Sequence, residues 1–215
     1  MEDYLELEAV SPHWRNFFED GMTIDLHENP ETMRMELAKL PGDPERHWCQ
    51  FQDFLTYARG QYDLVNEGYF SKGLDNIWEF IRHYGWRKLL FQMDHRKSMA
   101  GSIAKHFDDE YLRRIFEYFI KYVGSSALDA PGYMNMMPVI QFDYGLWYVK
   151  GGMYNLARGL ERLVHELGIE LRLGAEVSEI NRTGARDVSG VTLEGGEELR
   201  SDYVVWNMEV LPAYR

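Results

Sequence analysis

The chain has a single cysteine, no long apolar run and no basic leader, and each shortage excludes a class of protein. Cys49 stands alone among 215 residues, so no disulfide can form within the chain, and we interpret it as a small buried side chain in a helix. No stretch approaches the roughly twenty apolar residues that a membrane span requires. The start Met1-Glu2-Asp3 precedes neither a basic nor an apolar segment, so we predict no secretory signal and a cytoplasmic location.

Basic residues are in the minority as well. The 23 Lys and Arg face 35 Asp and Glu, which gives a formal net charge of -12. Phosphate backbones bind to cationic surfaces, so this balance argues against nucleic acid as a main partner. The 45% of hydrophobic residues is ordinary for a globular protein, and 215 residues suit one domain or two.

Sequence motifs of common catalytic sites are missing too. The 7 histidines are scattered and none has the spacing of metal ligands, so we predict no metal site. The chain lacks a nucleophile elbow, a phosphate-binding loop and a dinucleotide fingerprint with three spaced glycines. The sequence therefore assigns no catalytic acid, base or nucleophile.

The chain begins with a pattern of strands. Alternation over residues 4–10 predicts a half-buried strand with Leu7 on its inner face. The turn Glu19-Asp20-Gly21 predicts a hairpin that joins residues 14–18 to residues 22–26, because Asp-Gly supplies the backbone angles of a tight turn.

A series of helices follows these strands. Asn29-Pro30 and Asp43-Pro44 each place a capping side chain before a proline, which favours a helix start. The second of these helices carries apolar residues three or four positions apart, namely Trp48, Phe51, Leu55, Ala58, Tyr62 and Val65. Similar patterns predict further helices over residues 74–84, 86–93, 98–107 and 108–123.

The segment from Trp78 to Lys97 combines apolar and basic side chains. These are Trp78, Ile81, Leu89, Leu90 and Phe91, with Arg82, Arg87, Lys88, Arg96 and Lys97. Basic aromatic helices of this kind can lie on a membrane surface, so peripheral membrane contact is one interpretation. The alternative is a pair of helices packed on their neighbours with a solvated basic rim.

A glycine pair, Gly151-Gly152, separates this helical region from a segment of different character. Residues 139–142 and 146–149 are predicted to be extended, and a helix over 154–167 follows the glycines and ends at Gly168. The free amides at such a helix start can hold an electron-rich group, but a tight turn between strand and helix explains the glycines equally well.

The last third of the chain changes to period two. Strands are predicted over residues 169–173, 177–180, 188–193, 198–200 and 203–206. The last of them does not alternate, which is typical of a parallel strand buried on both faces. Strands, then helices, then strands indicate the α+β fold class.

Four sequence motifs resemble one enzyme family. They are Tyr122-Val123-Gly124-Ser125-Ser126, Ala130-Pro131, the run from Gly145 to Met153, and Gly174-Ala175-Glu176-Val177. In order and spacing they resemble the bacterial-type phytoene desaturases, which are carotenoid dehydrogenases of the flavin-dependent amine oxidase superfamily. The tripeptide Asn207-Met208-Glu209 departs from the Asn-Ala-Asp that is typical of this family.

The resemblance implies an FAD enzyme with a substrate domain and a dinucleotide-binding domain, of which this chain resembles the middle. Residues 1–29 would be strands of the substrate domain, 30–124 its helical cap, 125–152 further strands and the joint, and 153–215 a returning segment of the FAD-binding domain. Because the opening and closing segments of the family are missing, we expect this chain by itself to bind FAD weakly or not at all, and to be inactive.

The resemblance also implies where ligands bind. Glu176 and Val177 would lie near the adenine end of FAD. A second group would lie at the substrate cavity, namely Trp147, Tyr148, Lys150, Gly151, Gly152 and Met153, and we add Tyr133, Met136 and Met137 as apolar candidates for its wall. The expected substrate is a long apolar polyene that loses hydrogen. Polyene isomerase, retinol saturase and a non-catalytic apolar-ligand binding module stay open as alternatives.

Overall fold

The computed structural model describes residues 3–74, 76–184 and 187–209 and has an α+β fold, as predicted. The last residues of the predicted returning segment, 210–215, lie outside the described residues. Within the described part the chain divides into two compact units, one ending at Asn155 and the other beginning at Leu156.

Two antiparallel strand pairs belong to the first unit. Strands β2 (Trp14–Phe17) and β3 (Thr23–Leu26) form the predicted hairpin, and Asp20 accepts a hydrogen bond from the Met22 amide in its turn (3.0 Å). Strand β1 (Leu7–Ala9) pairs with β4 (Trp147–Val149). The predicted burial of β1 is wrong, since Leu7 is 45% exposed. A two-stranded ribbon buries a face only where another layer covers it.

The first two helices start where the sequence predicts. Helix α1 (Pro30–Leu37) is capped by Asn29, whose side chain accepts from the Thr32 amide at 3.0 Å. Helix α2 (Pro44–Val65) is capped in the same way by Asp43 and continues into a π-helical turn over Asn66–Phe70. Each cap satisfies a backbone donor that the helix itself leaves free.

The remaining helices of this unit are α3 (Ile77–Tyr84), α4 (Trp86–Phe91), α5 (Met99–His106), α6 (Glu110–Glu117) and α7 (Met137–Tyr144), with 3-10 turns over Tyr118–Tyr122 and Gly132–Met136. The extended segment predicted over residues 139–142 is wrong, because α7 covers it. Tertiary contacts override the strand preference of Val139-Ile140. Gln141 accepts from the indole N–H of Trp14 at 2.6 Å, and Phe142 packs edge-on against Phe51.

The core of the first unit is aromatic. Phe54, Phe107 and Phe116 are fully buried, and their ring centroids lie 4.6 to 5.0 Å apart. Leucine, isoleucine and methionine side chains from β3, α1, α5 and α6 surround them. Cys49, predicted to be buried, is exposed because it lies on the opposite side of α2 from this core.

The second unit contains most of helix α8 (Tyr154–Glu166) and an antiparallel sheet in the order β5 (Val177–Arg182), β6 (Val188–Leu193) and β7 (Glu198–Arg200). All four elements were predicted. Gly190 is required in β6, because its φ is +139° and a Cβ there would lie 1.9 Å from the carbonyl oxygen of Leu199.

Two strands predicted in this unit are not formed. Residues 169–173 and 203–206 have no ladder within the described residues, and Tyr203 and Val205 are 87% and 93% exposed. A parallel core strand needs neighbours on both edges and layers on both faces, and the described residues of the unit supply only the small antiparallel sheet.

The aromatic core gives a stability prediction. We expect Phe116→Ala to lower the free energy of unfolding by about 3–5 kcal/mol, because it leaves a cavity among fully buried rings. Phe91→Ala removes the same atoms from a side chain that is 74% exposed and should cost less than about 0.5 kcal/mol. Urea unfolding followed by circular dichroism measures both, and equal effects would contradict this core.

Candidate functional site

The main candidate site is an apolar pocket of about 940 Å³ in the first unit. This volume is at the upper end of the range of about 300–1,000 Å³ that is typical of small-molecule sites. Its lining comprises Val65, Tyr69, Phe70, Asn76, Phe80, Ile81, Trp86, Leu89, Leu90, Met93, His95, Val123, Tyr133, Met134, Met136, Met137 and Ile140.

Two groups of elements form the walls. One wall consists of the end of α2, the π-helical turn, α3 and α4, and the other of the turn over Gly132–Met136 and the start of α7. The side chain of Tyr84 ties the first wall to α2 by donating a hydrogen bond to the Leu64 carbonyl. Tyr69, Phe70 and Trp86 line the pocket and are also exposed, so aromatic side chains stand at its mouth.

The chemistry of the lining suits an apolar ligand. No carboxylate and no lysine or arginine belongs to the lining described, and its side chains with a polar group are Tyr69, Asn76, Trp86, His95 and Tyr133. A ligand in this pocket would exchange water for aliphatic, aromatic and thioether groups, which favours long hydrocarbons. The arrangement can bind and orient such a ligand and exclude water from it, but it offers few side chains for acid–base chemistry.

One half-buried carboxylate, that of Asp94, holds the segment that closes the pocket. Asp94 lies between Met93 and His95, which both line the pocket, and it accepts hydrogen bonds from the hydroxyls of Tyr57 (2.7 Å) and Ser102. Its amide donates to Gln61 at 2.9 Å, and its carbonyl accepts from the Tyr133 amide at 2.7 Å. Asp94 therefore connects α2, α5 and both walls of the pocket.

The Tyr57 hydroxyl is held in its donor state. Burial, together with the hydrogen bond to Asp94, raises the pKa of Tyr57 far above its ordinary value, so that the phenol keeps its proton. The ring of His106 stacks on Tyr57 at 4.7 Å between centroids, and burial lowers the pKa of this imidazole. Tyr57 thus stays a hydrogen-bond donor to Asp94.

The site residues predicted from sequence separate into two groups. Tyr133, Met136 and Met137 do line the pocket, while Trp147, Tyr148 and Met153 are exposed and are not part of its lining. Trp147 and Tyr148 lie on β4, where the Trp147 indole donates to the Tyr144 carbonyl at 2.8 Å.

The residues around the glycine pair are held by local contacts. Gly151 and Gly152 have φ values of +80° and +103°, which favour glycine. A Cβ on Gly151 would lie 2.5 Å from Nδ2 of Asn155, and that nitrogen donates to the Lys150 carbonyl at 2.8 Å. The Lys150 ammonium is paired with Glu6. The tight turn, one of the two interpretations of the glycines, thus accounts for their geometry.

The two predicted FAD contacts lie at the start of β5 in the second unit. Glu176 is exposed and its carbonyl accepts from the Glu194 amide at 2.9 Å, while Val177 is half-buried and pairs with Leu193. Within the described residues, Glu176 and Val177 lie at the start of β5, which is an edge strand of the sheet. They do not by themselves form an enclosed site for a flavin.

Several lining residues were not predicted as part of a site. Tyr69, Phe70 and Phe80 were not singled out, and Ile81, Leu89 and Leu90 were assigned to a membrane face or to packing on neighbouring helices. The packing alternative is wrong for Trp78, which is exposed. The apolar periodicity of α3 and α4 was the available signal, but it does not say what the apolar face covers.

One group in the described residues has the side-chain types of a metal site. Ligand atoms of Asp25, His27 and Glu36 lie within 4.8 Å of one another. Asp25 is paired with Arg15 at 2.8 Å and Glu36 with Lys39 at 2.6 Å, so cations of the protein already neutralise both carboxylates. Arg15 also lowers the pKa of Asp25 through its hydrogen bond. We assign no metal to this group.

Comparison with known proteins identifies the family. Residues 86–210, more than half of the chain, match the family described as flavin containing amine oxidoreductase. The chain belongs to the flavin containing amine oxidoreductases. This confirms the resemblance inferred from the four motifs, and membership of the family implies a flavin cofactor.

Two similar proteins are named as oxygenases of carotenoids. The chain is 50% identical over 214 residues to a 4,4'-diapolycopene oxygenase of Methylomonas sp, and 40% identical over 216 residues to a 4,4'-diaponeurosporene oxygenase of Staphylococcus aureus. It spans about two fifths (42%) of the length of each. A Rab GDI structure from Plasmodium falciparum aligns with 93% of this chain and with 43% of the Rab GDI chain, at 18% sequence identity and a TM-score of 0.45.

The anchoring of Asp94 gives a prediction on two glycines. Gly132→Ala should lower the free energy of unfolding by about 1–3 kcal/mol, because its Cβ would lie 2.6 Å from Cγ of Asp94, and Tyr57 and Ser102 hold that carboxyl in place. Gly60→Ala in α2 meets nothing within 4 Å and should raise stability by about 0.5–1 kcal/mol. Urea unfolding midpoints of the two variants should move in opposite directions; a shift in the same direction would be inconsistent with a pinned Asp94.

Proposed function

We propose that this chain is the central portion of an FAD-dependent carotenoid oxidoreductase that oxidises a long, linear polyene. The observation that carries the proposal is the apolar pocket of about 940 Å³, whose lining matches the chemistry of such a ligand. Family membership supports the redox class, and the names of the relatives support the substrate class.

Two oxidations of a polyene are compatible with this site. The relatives are named oxygenases, which favours addition of oxygen to the polyene. The motif resemblance to phytoene desaturases favours removal of hydrogen from a saturated link. The lining described contains no carboxylate, so neither reaction would draw a strong acid or base from the pocket. The polyene isomerase, the retinol saturase and the non-catalytic module are the weaker candidates, because the relatives are named for oxygenation.

The roles we propose for this chain are those of its own pocket. Residues around Asp94 would keep the two walls at a fixed separation, and the thioether and aromatic groups would bind the polyene and exclude water. A flavin supplies electron-accepting chemistry when it is bound. The family resemblance still assigns Glu176 and Val177 to its adenine end, and Trp147, Tyr148, Lys150, Gly151, Gly152 and Met153 to the substrate cavity of the longer protein.

The division of the chain is part of the proposal. We propose that residues 1–152 belong to the substrate domain, with 30–124 as its helical cap, and that 153–215 return to the FAD-binding domain. The change of compact unit at Asn155 supports a boundary at this joint. The exposed apolar residues of 169–173 and 203–206 are those that parallel neighbours in a flavin domain would cover.

The reaction can be tested in the longer protein that contains this chain. We expect it to convert 4,4'-diaponeurosporene into a product that mass spectrometry finds heavier by oxygen, whereas desaturation would make the product lighter by hydrogen. Leu89→Trp, which fills the pocket, should reduce turnover about tenfold or more, since a substrate excluded from its site does not react. The exposed Leu128→Trp is the matched control. Full activity of Leu89→Trp, or no conversion by the unmodified protein, would contradict the proposal.

We further propose that the mouth of the pocket contacts a membrane, from which an apolar polyene would enter. No helix in the described residues has the length and apolarity needed to cross a bilayer. Trp78, Trp86 and Phe91 are exposed, and Arg82 and Arg87 on the same helices are exposed as well, with the Arg87 guanidinium 5.5 Å from the Trp86 ring. Aromatic groups with basic neighbours suit an anionic lipid surface.

This surface predicts a difference between two equally exposed aromatic residues. Trp78 and Phe17 are both 76% exposed. Trp78→Ser should weaken sedimentation with anionic liposomes about tenfold or more, because the indole no longer inserts into the interface. Phe17→Ser should leave sedimentation unchanged. An equal loss in both variants, or no sedimentation of the unmodified chain, would argue against the membrane surface.

A further inference from the structure

We infer that His95 is a specificity residue of the apolar pocket, which binds the hydroxyl group at the end of a linear, otherwise apolar ligand. The inference rests on the proposed function, because the apolar ligand class is taken from it. It adds a preference for one polar end group, and it names the side chain that makes the contact.

The proton on His95 is placed by its backbone surroundings. Its Nδ1 lies 2.9 Å from the carbonyl oxygen of Met93. A carbonyl can only accept, so Nδ1 carries the hydrogen, and in the neutral ring Nε2 keeps a free lone pair. Within the described part of the chain, Nε2 has no hydrogen-bond partner.

The position of the ring is set by its neighbour Asp94. That residue is bound through its side chain, its amide and its carbonyl to three other segments, so the backbone that carries His95 is fixed. The side chain of His95 is exposed and lines the pocket, which places it at the rim. A ligand whose chain fills the pocket would present its end group there.

A lone pair selects a hydroxyl among the end groups of apolar chains. An alcohol donates a hydrogen bond to Nε2, whereas a hydrocarbon or an aldehyde has no hydrogen to donate. Among the described lining residues, His95 alone offers a nitrogen lone pair, which is a stronger acceptor than the phenol oxygens of Tyr69 and Tyr133. The Asn76 carbonyl already accepts from the Glu79 amide at 3.1 Å, and the Trp86 indole is only a donor.

Displacement of diphenylhexatriene, a linear apolar fluorophore, from the 215-residue chain tests this contact. Three probes share a branched chain of fifteen carbons and differ at one end: farnesol has an alcohol, farnesal an aldehyde and farnesene a hydrocarbon diene. Farnesol should displace the fluorophore at a concentration about two- to tenfold lower than farnesene or farnesal, which is the value of one neutral hydrogen bond.

Three variants show whether His95 is responsible. His95→Phe should abolish the preference for farnesol over farnesene and farnesal, while farnesene still displaces the fluorophore. His95→Gln should retain part of the preference, because its side-chain carbonyl reaches the region of Nε2. His165→Phe, at an exposed position in α8, is the matched control and should behave like the unmodified chain.

The outcomes separate this inference from the proposed function. Equal displacement by farnesol and farnesene, equal displacement by farnesol and farnesal, or a preference kept in His95→Phe would overturn the role of His95 alone. If neither the fluorophore nor farnesene bound at all, the apolar pocket and the proposed function would fall together with it.

Discussion

The pocket depends on one half-buried carboxylate, that of Asp94. Helices α3 and α4 are short and expose much of their aromatic surface. Contacts at the two ends of this helical segment therefore hold it in position. Asp94 fixes the far end, because Tyr57, Ser102 and Gln61 bind it from α2 and α5. The high pKa of Tyr57 keeps its hydroxyl a donor to this carboxylate. The walls of an apolar cavity are thus held in place by a polar cluster that lies outside the lining. Because its hydrogen bonds are made among protein groups, the cluster adds no polar group to the surface that a ligand would contact.

The two units differ in how far they bury their apolar residues. The first unit has an aromatic core around Phe116. Helix caps, ion pairs and the Asp94 cluster hold the elements that contribute to this core. The second leaves the apolar side chains of Leu160, Leu173 and Tyr203 exposed within the described residues. Exposure on this scale is typical of surfaces that another layer covers. It agrees with a chain that spans about two fifths (42%) of the length of its relatives.

Local signals made much of the fold predictable. The caps at Asn29 and Asp43 and the Asp-Gly turn of the hairpin act within a few residues, and each was located correctly. Residues 139–142 were predicted wrongly, because Gln141 and Phe142 make their contacts with Trp14 and Phe51, far away in the chain. Of the candidate cavity residues, Tyr133, Met136 and Met137 line the pocket, and Trp147, Tyr148 and Met153 do not; the wall from α3 and α4 was not predicted.

The family motifs, the helix starts, the hairpin and the three-stranded sheet of this protein follow from residues close together in the chain, because caps, turns and periodicity are short-range effects. The pairing of β1 with β4 does not, since it joins Leu7 to Val149. The pocket and its rim are different. They arise where Asp94 joins α2, α5 and the Gly132 turn, which are dozens of residues apart, and no spacing in the sequence encodes that meeting. Side-chain packing and hydrogen bonding in three dimensions decided which apolar faces became a core, which became a cavity wall, and where His95 stands.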